Sequence, residues 1–158
     1  MFLCLALIMG YIEAIFPIDI GVPGVKLGLA NLVSLSLLYT FGFKEGFTVG
    51  LMRIFIIGFL FSNLPMIIYS LSGFVVSFVI MWIVKKSGLF KLIGVSVVGG
   101  VVHNITQLSV ACILVTGFSA LIYIYILIPA GVAAGALVGF LSYKINPTIN
   151  FLKHKYEI

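Results

Sequence analysis

The chain has 158 residues, of which 63% are hydrophobic and only 8% charged, with a formal net charge of +5. That composition lies outside the range of water-soluble domains, which could not hide so much apolar surface. It also argues against a nucleic-acid binder, because the lysines lie between apolar runs and near the end of the chain instead of on one aromatic-rich basic patch.

A hydrocarbon core of about 30 Å requires roughly 20 apolar residues per helix, so about six or seven spans fit with short connections. The expected fold class is therefore an all-α membrane protein, a bundle of about six transmembrane helices forming one integral membrane domain over residues 1–158. Breaks at charges, prolines and glycine clusters place helix one over residues 2–16, helix two over 27–41 and helix three over 46–61. Helix four starts at Pro65, a good first-turn residue, and runs to Val84. Helix five covers 92–115 and helix six 119–143, followed by a short polar tail with Lys153, His154, Lys155 and Glu157. The first apolar run has no basic leader and no small-residue cleavage site, so it reads as a retained helix, shortened at its start.

The lysines set an orientation. Lys44, Lys85, Lys86, Lys91, Lys144, Lys153 and Lys155 fall on one side of such a bundle and only Lys26 on the other, which predicts both termini on the cytoplasmic side. Trp82 beside Lys85 and Lys86 suits an inner-interface anchor, and Tyr123 and Tyr125 suit an outer aromatic belt. Cys4 and Cys112 sit far apart in apolar runs, so passive packing is expected of them, with neither a disulfide nor a metal site.

Helix one spaces Ala6, Gly10 and Ala14 four apart, a smooth stripe for close approach by another helix of the bundle or by a partner. Helix six repeats the pattern with Gly131, Gly135 and Gly139, and Pro129 is a candidate kink. Such stripes favour internal packing and identify no partner.

Ionisable groups within a membrane are costly and usually line a cavity or pair with one another. Here they are Glu13, Arg53 and His103, joined by Asn31 one turn inside helix two and by Asn104 and Gln107 after His103. Interhelical hydrogen bonding accounts for any one of them as well as ligand binding does. The group of His103, Asn104 and Gln107 favours a substrate site, because it exceeds what packing needs. The stretch 17–26, with Pro17, Asp19, Gly21, Pro23, Gly24 and Lys26, is turn-rich and reads as a lid over an outward-facing pocket, or more plainly as a connector. Lys26 or Arg53 would suit an anionic substrate, with the dipole of the helix-two N-terminus adding to the attraction.

The run Val22, Pro23, Gly24, Val25, Lys26, Leu27, Gly28, Leu29, Ala30, Asn31, Leu32, Val33 resembles the signature of the Gx transporter family, whose members are often labelled heptaprenyl diphosphate synthase component I. The resemblance extends over nearly the whole chain, through Tyr11 to Glu13, Arg53, Tyr69 to Gly73, and Gly99, Gly100, His103, Asn104 and Gln107. That family looks like a branch of the substrate-binding S components of energy-coupling factor transporters. The resemblance implies a multi-pass protein of the bacterial cell membrane that captures a vitamin or small metabolite from outside. It also implies that Ala6, Gly10 and Ala14 dock on a transmembrane coupling subunit, and that the stretch 17–26 closes over the ligand.

The chain has no glycine loop followed by Lys and Ser or Thr at phosphate-cradling spacing, so any ATP drive must come from partner ATPase subunits. Prenyl diphosphate chemistry depends on magnesium held by clustered aspartates, and Asp19 is the only aspartate. No enzyme activity, cofactor or metal is therefore expected; the partners expected are a small-molecule substrate, membrane lipid, and the coupling and ATPase subunits of an importer. An isoprenoid or quinone precursor fits the family label as cargo. The alternative is a non-catalytic membrane accessory of heptaprenyl diphosphate synthesis, and a gradient-driven carrier using Glu13 or His103 as a proton site is the third reading.

Overall fold

The structure, a computed structural model, describes residues 1–15, 28–116 and 122–156. Among these the chain forms six α-helices: α1 (Phe2–Ile15), α2 (Leu29–Thr40), α3 (Phe43–Phe61), α4 (Leu64–Ser87), α5 (Leu92–Ala111) and α6 (Ile124–Tyr156). A π-helical turn, Cys112–Thr116, extends α5. The stretch 17–26 expected to form a lid or connector, Lys26 included, lies outside the described residues.

Local chemistry sets the breaks. Gly42 separates α2 from α3 at φ 126°, where a side chain would be strained, so α3 begins at Phe43 and takes in Lys44 and Glu45. The sequence reading began this helix at Gly46. Asn63 caps α4 by accepting the Met66 N–H at 3.0 Å, with Pro65 in the first turn. Lys85 and Lys86 occupy the last turn of α4, where cations complement the helix dipole, and Gly88 closes the helix at φ 71°. The expected polar tail after Tyr143 is instead helical: α6 runs on to Tyr156 through Pro147.

Three helical stretches are long and apolar enough to cross a membrane: Leu64–Ser87, Leu92–Leu114 and Ile124–Phe151. With 24, 23 and 28 residues, at about 1.5 Å each, they exceed a hydrocarbon core of about 30 Å. The 19-residue α3 approaches that length but carries Lys44, Glu45 and Arg53. At 14 and 12 residues α1 and α2 are shorter. Phe59, Leu60, Leu64, Ile113 and Tyr125 lie exposed on the outer surface. A polypeptide that shows such side chains outward is matched to lipid, and the protein is a membrane protein.

Neighbouring helices pack in a ring: α2 on α3, α3 on α4, α4 on α5, α5 on α6, and α6 back on α2, with α1 laid against α2 and α3. The closest seam joins α5 to α6. A Cβ on Gly135 would meet the Ser96 carbonyl at 2.6 Å, and one on Gly131 the Gly100 carbonyl at 2.9 Å, so the glycine stripe of α6 packs inside the bundle. Ser36 and Ser142 share a hydrogen bond at 2.8 Å that closes the ring from α2 to α6. Such interhelical bonds are worth about 0.6 kcal/mol on average in membrane proteins.

One half of the ring is filled by aromatic rings: Phe43, Phe47, Phe74, Phe78 and Trp82, with centroid separations of 5.1–5.9 Å. Gly46 and Gly50 leave α3 open where the Phe78 and Phe74 rings press against it. At that end Lys85 Nζ also donates to the Leu38 carbonyl at 2.6 Å, satisfying an acceptor in the last turn of α2. With this half solid, the space inside the ring lies toward the opposite end.

Candidate functional site

A cavity of approximately 280 Å³ lies inside the ring, toward the end where α1 finishes and α2 starts. Its wall includes Glu13 from α1, Asn31 from α2, Arg53 from α3 and His103, Asn104 and Gln107 from α5. Every candidate substrate-binding residue named from the sequence reaches this one chamber except Lys26, which lies outside the described residues. Gly28, Gly58, Gly99, Gly100 and Gly131 also line it.

Two polar clusters line it. In the first, Arg53 Nη2 donates to Asn31 Oδ1 at 3.1 Å, tying α3 to α2. Arg53 Nε is a buried donor without a protein partner. Glu13 lies close enough to act on the guanidinium electrostatically, while its Oε1 accepts the Leu29 N–H at 3.0 Å. Leu29 is the first residue of α2 and follows Gly28 at φ 73°. One of the free donors at this helix start is therefore satisfied by a carboxylate from α1. The sequence reading assigned that helix end to an anionic substrate; Glu13 already provides an anion there.

The second cluster is formed by α5 and α4. His103 Nδ1 lies 3.5 Å from Ser77 Oγ. Gly73 stands directly opposite, and a Cβ there would come within 2.9 Å of both Gln107 Cγ and His103 Cε1. The missing side chain at position 73 thus holds the space in which the imidazole and the amide stem sit. Asn104 differs from its neighbours: it is only 8% exposed and its Nδ2 donates to the Leu127 carbonyl at 2.8 Å. That bond stitches α5 to α6, so its amide nitrogen already serves the bundle.

The stripe on helix one divides. Ala6 is fully buried, and a Cβ on Gly10 would stand 3.1 Å from Ile57 and 3.8 Å from Arg53 Cδ. Gly10 therefore faces α3 within the chain, and of the three only Ala14 is exposed, at the chamber rim. Sequence reasoning gave Ser70 and Gly73 no role at the site beyond the family resemblance and missed Ser77, although the spacing of three and four residues marks one face of α4.

Chemically, the chamber offers a guanidinium donor, a carboxylate, an imidazole, amides and hydroxyls inside an apolar wall of Leu35, Ile54, Ile57, Met66, Ile67 and Met81. That combination of a mainly apolar cavity with a few converging polar groups is how small molecules are bound. Among the described residues no group of three or more His, Cys, Asp or Glu is placed to hold a metal ion.

A family model described as heptaprenyl diphosphate synthase component I matches residues 2–145. No curated protein and no solved structure shows significant similarity to the chain.

Proposed function

This chain belongs to the heptaprenyl diphosphate synthase component I family, and from that premise we propose that it is a non-enzymatic membrane subunit that captures a small metabolite, as the substrate-binding component of an energy-coupling factor importer does. One observation carries the reading: side chains from α1, α2, α3 and α5 that are costly in lipid all converge on one partly open chamber. Packing alone needs no common destination for them.

In this reading the chain resides in a bacterial cell membrane, crosses it about six times and keeps both termini in the cytoplasm. The chamber then lies at the outer end of the bundle, opposite Lys44, Lys85, Lys86, Lys91 and Lys144. Arg53 and Asn31 hold one end of the metabolite; His103 and Gln107 hold the other. Partner ATPase subunits and a coupling subunit supply the energy, because the chain has no phosphate-cradling loop of its own. With Ala6 buried and Gly10 packed on α3, the coupling subunit contacts other faces of the bundle.

The family description favours a second reading, a membrane accessory to a separate polyprenyl diphosphate synthase. Affinity purification from native membranes separates the two. Recovery with an ATPase pair and a membrane coupling subunit supports import, and recovery with a soluble prenyl synthase alone overturns it. In the import reading uptake also survives collapse of the ion gradients, whereas a gradient-driven carrier stops.

A further inference from the structure

The charge balance of the chamber narrows the class of ligand, on the premise that the capture reading above holds. Among the described lining residues Arg53 is the only lysine or arginine and Glu13 the only acid. The two oppose each other near the first turn of α2, where Glu13 also receives the Leu29 N–H. With His103 neutral, the formal sum over the described wall is zero. An uncompensated charge brought into a mainly apolar chamber between helices is disfavoured.

A diphosphate fails this condition. A single phosphate monoester brings about −1.5 to −2 charges at pH 7, and a diphosphate at least as much. Proteins meet such groups with several cations, backbone N–H groups at helix starts, or carboxylate-held magnesium. Here the one arginine is opposed by an acid, the nearest helix start faces that acid, and no metal-holding cluster is found among the described residues. Lys26 lies outside the described residues, and even if its charge is added the sum rises only to +1.

Size points the same way. The volume, approximately 280 Å³, is close to the lower end of the roughly 300–1,000 Å³ typical of small-ligand pockets. Neutral polar groups, by contrast, are well served. Arg53 Nε is an unsatisfied buried donor that a ligand carbonyl, hydroxyl or zwitterion oxygen would complete. Gln107 offers both donor and acceptor capacity at the other cluster, beside His103. We infer that the chamber takes a compact polar ligand of no net charge and excludes prenyl diphosphates.

The test is a change of charge at Glu13 in the full-length, detergent-solubilised protein, with inorganic phosphate and inorganic diphosphate as probes. Glu13→Gln keeps an acceptor for the Leu29 N–H while removing the opposing charge. We expect no phosphate or diphosphate binding by the parent protein, at least tenfold tighter phosphate binding by E13Q, and loss of that gain in E13Q/R53Q. Parent protein that binds diphosphate as tightly as E13Q overturns the inference, and so does an E13Q protein that gains nothing. Mass spectrometry of molecules released from the parent separates the two levels of the account. A released compound of zero net charge supports the inference. A charged one overturns it and leaves capture standing, and the absence of any retained compound overturns capture itself.

Discussion

Gly73 offers the sharpest lever on the chamber, because its change to alanine pushes one methyl group at two of the groups assigned to the ligand. The added Cβ would stand 2.9 Å from His103 Cε1, 2.9 Å from Gln107 Cγ and 3.1 Å from His103 Nδ1. Carbon atoms pack at about 3.5–4.0 Å, so both side chains must withdraw by at least ~0.6 Å. Overpacking of this kind costs about 1–3 kcal/mol. The 3.5 Å approach of His103 to Ser77 is already long for a hydrogen bond and does not survive a further shift. If the same strain falls on the bound state, ligand affinity drops by about 5- to 150-fold, since 1.4 kcal/mol is tenfold. The assay is ligand retention per folded chain, read by mass spectrometry beside thermal unfolding in detergent. Gly46→Ala is the control: its Cβ meets Phe78 at 2.8 Å and the Ser34 carbonyl at 2.8 Å, away from the chamber wall. Both variants lose thermal stability, and only G73A loses ligand at temperatures where both stay folded. Equal retention by the two would refute the assignment of His103 and Gln107 to the ligand.

Further expectations follow from the same geometry. The double variant His103→Ala, Gln107→Ala removes two hydrogen-bonding groups worth about 0.5–1.5 kcal/mol each, so binding weakens about 5- to 150-fold while membrane insertion, followed by fractionation, is unchanged. Asn104→Ala breaks the bond to the Leu127 carbonyl and lowers the unfolding temperature, at about 0.6 kcal/mol and no more than about 1.7 kcal/mol. Gly100→Val drives a branched side chain into the Gly131 backbone and separates α5 from α6, read as loss of monodisperse protein in size-exclusion chromatography. Glu13→Ala strips the acceptor from the Leu29 N–H and destabilises by about 0.5–2 kcal/mol, as loss of a helix cap does; E13Q retains most of that stability.

Much of this architecture was legible in the residues because lipid imposes strict terms. Apolar runs broken by charge and glycine gave the helices, and the scarcity of polar groups singled out Glu13, Asn31, Arg53, His103 and Gln107 before any geometry was known. The errors have local causes. Helix six read as ending at Tyr143 with a polar tail beyond, yet α6 continues to Tyr156 through Pro147, because a proline removes only one backbone donor and a helix can absorb it. Lys44 and Glu45 read as loop, although the actual break is Gly42, whose φ of 126° no sequence pattern reports. A close contact at Gly10 was legible, but that α3 fills it depends on how the helices pack. The partnership of Glu13 with the start of α2 spans sixteen positions and follows from the way α1 and α2 pack. Gly73 acts by lacking atoms, and such a role emerges only when its neighbours across α5 are placed.

The central claim is that the polar groups of this lipid-embedded ring enclose a ligand chamber, and native mass spectrometry of the protein released directly from membranes tests it most directly. The account predicts one small adduct per folded chain in the parent protein and its loss in the His103→Ala, Gln107→Ala variant. A folded parent chain that carries no adduct, or a variant that carries it at equal occupancy, would contradict the account.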